Sequence, residues 1–322
     1  MLVNLQIKEV ILGLALADAL GLPFESQPRK GLRVDLVRKM LPSKDHPAGT
    51  WSANTSMTLA TMDSMARMDG VDFDDLMHSF LHWMNDGLFT PTGHAFGIGR
   101  NTEAALKRYH RNIPALQAGG NNEMDNGNGA LLRMAPLALY IYARHGTDFT
   151  KNDVSLVHNV CALTHRHIRS KVSCMLYVAI ILNLMAGLDS EHAVSEAMKH
   201  CRSFYLDLSR YSSELWNFSP FFQTTIFAQR TSDEIASTGY VVDTLRAAVW
   251  CLLNTTDYEE CVEHAIRLGG DASSIGAVAG TLSGARYGLD RLPESWLKTL
   301  QRRSYIEEVC DSFGRNLTRM VF

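Results

Sequence analysis

No run of apolar residues in this 322-residue chain reaches the length needed to cross a bilayer. The richest stretch, Met175 to Met185, ends after 11 residues and carries Asn183, so it is expected to be a buried helix. Neither sign of charge dominates. The balance is 31 Lys and Arg against 34 Asp and Glu, a formal charge of −3, whereas proteins that grip phosphate backbones carry a basic footprint. The short basic clusters Lys107-Arg108 and Arg302-Arg303 are interrupted by acids and read as solvated helix faces. The six cysteines are scattered without a CxxC, which disfavours a thiolate metal site or a disulfide framework and fits reduced thiols. The first ten residues, MLVNLQIKEV, do not combine a basic leader, an apolar stretch and a cleavage site. No GxGxxG follows a predicted strand, and no Ser–His–Asp or Cys–His pair stands out. The expectation is a soluble cytoplasmic protein without nucleic-acid or membrane partners, a monomer rather than an obligate oligomer.

What is present is helical periodicity. Phe73, Leu76, Met77, Phe80, Leu81 and Met84 recur at i, i+3, i+4, i+7, i+8 and i+11, one face of a helix. Ile7, Val10, Ile11, Leu14 and Ala15 repeat the pattern, as do Val241, Leu245, Val249 and Leu252. Helix starts are marked by Asp72, Ser190 and Asp257. Pro136 should kink or restart a helix over 130–142. Irregular stretches fall at 22–50, 86–101, 117–128 and 204–236, and no low-complexity linker divides the chain. The fold class is therefore all-α, one domain over 1–322 with about a dozen helices and the glycine loops at one end. The segment 204–236 is the most plausible insertion.

Three glycine clusters each lead into a helix: Gly97 to Thr102, Asn126 to Gly129, and Gly269 to Ser274. Glycine lets backbone N–H groups approach a ligand, and a helix N-terminus favours an anion such as a diphosphate. Taken one at a time, a tight turn or helix cap is the commoner use of such a cluster. Asp74, His78 and His82 share a helix face at zinc-binding spacing, but without the Glu of a metalloprotease motif they read as a polar surface.

The order of the motifs resembles the ADP-ribosylglycohydrolase family. Gly13 to Glu25 (GLALADALGLPFE) is similar to the family's G-xxx-GDALG-x-P-x-E. Trp51-Ser52-Ala53-Asn54-Thr55 stands where the family has a tryptophan followed by Thr/Ser-Asp-Asp-Thr. Asn126 to Pro136 (NGNGALLRMAP) resembles GNG-x-x-MR-x-x-P, and Thr164-His165-Arg166-His167 resembles TH-x-H. Gly239 to Leu245 and Leu268 to Gly284 resemble the C-terminal block, usually GGDTDT or GGDTDS. The resemblance covers nearly the whole chain and implies a compact all-helical domain with a cleft for ADP-ribose or an ADP-ribosylated protein. It also implies hydrolysis of the ADP-ribosyl glycosidic bond with two magnesium ions. Glu25 is the implied catalytic acid, and Gly99, Asn126, Gly127, Asn128, Gly129 and His165 the implied ligand-binding residues. His167 is expected to pack or cap.

The implied metal positions are Ser52, Asn54, Asp271, Ser273 and Ser274, of which Asp271 survives and Ser52 and Ser274 keep a hydroxyl, and the departures fall among them. Ala53 and Asn54 replace two aspartates, and Ser273 replaces a third. Ala17, Ala272 and Asp125 also depart from the pattern, which looks like drift, and Asp125 is expected to repel a nearby diphosphate. Magnesium needs anionic oxygen ligands, so the expectation is a lost dinuclear site, with none or one weakly bound ion. The leading reading is an ADP-ribose-binding, weak or inactive hydrolase. Its alternatives are an active single-metal hydrolase and a structural or interaction protein on the same fold.

Overall fold

The computed structural model describes the backbone of residues 2–321. Sixteen α-helices follow one another among them: α1 (Leu2–Gly21), α2 (Ala53–Arg67), α3 (Phe73–Asp86), α4 (Arg100–His110), α5 (Ala115–Ala118), α6 (Ala135–His145), α7 (Lys151–Ala162), α8 (Ile168–Met185), α9 (Ser190–Tyr205), α10 (Ser209–Leu215), α11 (Thr224–Ala228), α12 (Val241–Leu253), α13 (Tyr258–Arg267), α14 (Ala272–Tyr287), α15 (Glu294–Thr299) and α16 (Arg303–Val321). Among the described residues there is no β-strand, only isolated bridges. The expected dozen is exceeded by four short helices, α5, α10, α11 and α15, too brief to show a period.

The centre is the pair α1 and α14. From Val10 to Gly21 every residue of α1 is buried, as is α14 from Ala272 to Gly284. Helices apolar on all sides belong inside, and these two meet through small residues. A Cβ on Gly280 would lie 2.4 Å from the Gly13 carbonyl oxygen and 2.5 Å from the Ala17 Cβ, so Ala17 still permits the close crossing. α8 is long and apolar enough to span a membrane by composition, yet most of it is buried inside the molecule as a core helix. All six cysteines are buried and free.

Local signals act as their chemistry dictates. Asp72 accepts from Asp75 N and opens α3, and Asp257 accepts from Glu260 N and opens α13. α9 is capped by Asp189 rather than Ser190, which becomes its first helical residue. A 3-10 stretch, Asn128–Arg133, precedes α6, where Pro136 sits near the start and loses no helical hydrogen bond. His167 caps α8 by accepting from Arg169 N. In 204–236, Phe218 and Phe221, after α10, and Phe227 of α11 are buried in one ring cluster.

Candidate ligand-binding cleft

Segments spread from Leu22 to Ser274 converge at the N-terminal ends of α2, α4 and α14 to form a cleft of about 670 Å³. Its lining includes Glu25, Ser52, Asn54, Gly99, Asn126, Gly127, Asn128, Gly129, His165, Asp271, Ser273 and Ser274, so all twelve residues singled out in the sequence are brought together.

The two carboxylates of the floor come from opposite ends of the chain. Glu25 follows α1 and accepts from Ser273 N at 2.9 Å. Asp271 precedes α14, lies within hydrogen-bonding reach of Glu25, and accepts from Asn128 Nδ2 at 2.8 Å. Burial and the negative Asp271 push the Glu25 carboxyl up to about 7, while the Ser273 N–H pulls the other way. The Gly269-Gly270 turn that presents Asp271 is structural. Both glycines have positive φ, Gly270 N–H donates to the Gln27 carbonyl, and its carbonyl accepts from Ser26 N. A side chain at Gly270 would meet Ser237.

Behind the floor lies Asp18, a residue whose importance the sequence reading passed over. It is fully buried and accepts five hydrogen bonds. Ser52 Oγ (2.7 Å) and Asn54 Nδ2 (3.0 Å) meet its Oδ1, while Ser52 N (2.9 Å), Thr55 N (3.1 Å) and Thr55 Oγ1 (2.7 Å) meet Oδ2. Burial raises its pKa, and the hydroxyl and backbone donors oppose that shift. Asp18 thus caps α2 from a neighbouring helix. A lone acid in the buried run VILGLALADALG was the available signal, since an ionisable residue inside an apolar helix needs a dedicated set of partners.

The upper wall is glycine. Gly97 takes positive φ, and the backbone at Gly97 and Gly99 is open toward the cleft. Gly127 pairs with Tyr240 and Asn128 N–H donates to the Gly239 carbonyl, so that N–H is committed to the protein. Asn126 is equally committed, accepting from Ser170 Oγ and donating to the Glu123 carbonyl. A Cβ at Gly129 would lie 3.1 Å from both His165 Cε1 and Thr102 Oγ1. His165 is buried, bonded through Nδ1 to Thr164 Oγ1 at 2.7 Å, and pushed down to about 3 by burial and by Arg133, so its ring is neutral. Arg133 is fully buried and donates to Gly129 O, Val160 O and Thr164 Oγ1, holding this wall from behind. Desolvation lowers its own pKa to about 10.

Asp125 does not face the cleft, contrary to expectation. Its carboxylate accepts from Asn122 N at 2.8 Å and covers Gly120, and the residue is not among those lining the cavity. The short turn Asn122–Asp125 closes a capping box and turns the charge away. The rim residues Glu123, Arg169 and Tyr240 escaped the sequence reading because they meet only in three dimensions. Arg169 ion-pairs with Glu123 and Glu214 and donates to Tyr240 Oη at 3.0 Å. His78 and His82 lie elsewhere, near Tyr109 and on Asp86 respectively.

The comparison with known proteins decides the lineage. The family profile described as ADP-ribosylglycohydrolase matches residues 4–320. The chain belongs to the ADP-ribosylglycohydrolase family. Family members hydrolyse ADP-ribosyl linkages. Similar proteins include the ADP-ribosylarginine hydrolase Tri1 of Serratia proteamaculans, 29% identical over 94% of this chain and 77% of the relative. The ADP-ribosyl-[dinitrogen reductase] glycohydrolase of Rhodospirillum rubrum is 26% identical over 91% and 89% of the two chains. A solved structure described as an ADP-ribosylglycohydrolase-related protein complex superposes with a TM-score of 0.77 at 27% identity and covers 99% of each chain. The all-α fold of this family member is thus the one the motifs implied.

Proposed function

We propose that this ADP-ribosylglycohydrolase-family chain binds ADP-ribose, free or carried on a modified protein, and has lost the dinuclear magnesium reaction. The observation that carries the reading is the charge of the cleft floor. Its carboxylates are Glu25 and Asp271, with Ala53, Asn54, Ser273 and Ser274 beside them. Asp18 stands behind, with both oxygens already engaged.

This donor set does not fit a pair of magnesium ions. Two divalent ions about 4 Å apart repel by roughly 16 kcal/mol at an effective dielectric of 20. Hydroxyls and an amide supply oxygens without negative charge. A single ion beside Asp271 is the most the floor can hold. The glycine wall supplies space for a diphosphate, and neutral His165 adds no charge of its own.

A second reading is favoured by one feature. Glu25, pushed up to about 7, is suited to deliver a proton to a leaving group near neutral pH. On that reading the chain is a working hydrolase. The deciding experiment incubates the purified protein with ADP-ribosylated arginine and serine substrates in magnesium, alongside a thermal shift with free ADP-ribose. A thermal shift without ADP-ribose release supports the binding reading. Release that Glu25→Gln abolishes establishes the hydrolase, and no shift with no release refutes both.

A further inference from the structure

The floor of the cleft has hydrogen-bond acceptors in excess of donors, and Asp18 is the reason. A carboxylate accepts only. Because Asp18 Oδ1 lies 3.0 Å from the Asn54 amide nitrogen, the amide oxygen is turned away from it. Asn54 Oδ1 accepts no hydrogen bond from the protein among the described residues and is not among the buried orphaned atoms. The hydroxyl hydrogen of Ser52 is likewise spent on Asp18, 2.7 Å away. Its oxygen takes Asn54 N at 3.2 Å, which leaves one lone pair free. With Glu25 and Asp271 alongside, the floor presents oxygens to whatever enters.

Such a surface repels phosphate and takes donors. The phosphates of a bound nucleotide sugar belong at the glycine wall, where the backbone at Gly97 and Gly99 is open. The part that suits Ser52 and Asn54 is a sugar with free hydroxyls. We propose that Asp18 is a positioning residue that orients Ser52 and Asn54 to accept hydrogen bonds from the terminal ribose of ADP-ribose, without a bridging cation. This rests on the reading of the cleft as an ADP-ribose site, and it adds which groups tell ADP-ribose from ADP.

The test is calorimetric titration of the full chain with ADP-ribose and with ADP, both in EDTA. The wild-type protein should bind ADP-ribose at least about tenfold more tightly than ADP. In Asp18→Asn, an amide N–H replaces the acceptor facing Asn54, the Asn54 amide turns over, and the preference should collapse while ADP affinity stays unchanged. A loss of general stability would weaken both ligands together. The double variant Asp18→Asn/Asn54→Asp should restore the preference, because the new amide at position 18 donates to the new carboxylate. If Asp18→Asn does not fold, Asn54→Ala must lose the preference alone. A preference that survives both single variants, that needs magnesium, or that is missing from the wild type overturns the inference. Binding of neither nucleotide overturns the reading of the cleft itself.

Discussion

The backbone N–H of Ser273 donates to the Glu25 carboxylate at 2.9 Å, joining positions 248 residues apart at the floor of the cleft. The bond holds Glu25 beside Asp271, and two like charges in a half-closed site oppose each other. Replacing Glu25 by Gln keeps an oxygen for Ser273 N–H and offers an N–H to Asp271. The variant should be more stable than wild type at pH 8 in EDTA, by on the order of 1–2 kcal/mol, and should melt higher. A lower melting temperature would show that the pair does not repel.

Restoring the missing anions should restore the response to metal. The triple variant Ala53→Asp/Asn54→Asp/Ser273→Asp crowds carboxylates around Asp271. It is expected to be less stable than wild type in EDTA and to gain a magnesium-dependent rise in melting temperature. If the wild type already shows a rise as large as the triple variant's at the same magnesium concentration, the proposed loss of the metal pair is wrong.

Acid should weaken the fold through two buried imidazoles, against a smaller opposing gain as Glu25, at about 7, takes up its proton over the same range. Burial, helped by Lys171, pushes His158 down to about 3, and burial with Arg133 does the same to His165. His158 is held neutral between Tyr205 and Tyr211, bonded to Tyr205 Oη at 2.8 Å. Because both folded values lie below the unfolded 6.5, the unfolded chain takes up protons first as the pH falls. Stability present above 6.5 is lost on the way down, by roughly 2 kcal/mol per ring at pH 5. Urea unfolding at pH 7 and pH 5 measures this, and equal midpoints would contradict it.

Arg133 has no carboxylate in its hydrogen bonds, yet it holds three oxygens at and behind the cleft wall. Arg133→Met removes the buried charge but takes the guanidinium donors from Gly129 O, Val160 O and Thr164 Oγ1, of which the last keeps His165 Nδ1. We expect a loss of about 3 kcal/mol in urea unfolding, with weaker ADP-ribose binding. A neutral effect would mean that the wall supports itself.

Gly129 tests the cleft without touching its charges. A Cβ there sits 3.1 Å from His165 and Thr102, tight but not prohibitive. Gly129→Ala should fold and lose most of its ADP-ribose affinity in titration. Unchanged affinity would place the ligand elsewhere.

How much of this was legible in advance follows from how local each signal is. Helix starts at Asp72 and Asp257 were readable because a cap and its helix are neighbours in sequence. Motif residues such as Glu25, His165 and Asp271 were found because their order in the chain survives even where their company does not. Asp18 lies within a motif, but its task is not local, since its five donors come from residues 52 to 55. The orientation of Asp125 was also out of reach. Its side chain is set by the turn at Asn122 and the bare Cα of Gly120, and only the folded backbone brings those to it.

The crossing at Gly13 and Gly280 carries a consequence for biosynthesis. α1 packs most extensively against α14, which is translated much later, with no room at the contact for even a methyl group. Until translation has passed Tyr287, apolar α1 lacks its main mate, and the nascent chain displays a surface that chaperones recognise. A stall or truncation ahead of that point would leave a protein without a floor to its cleft rather than a shorter working version.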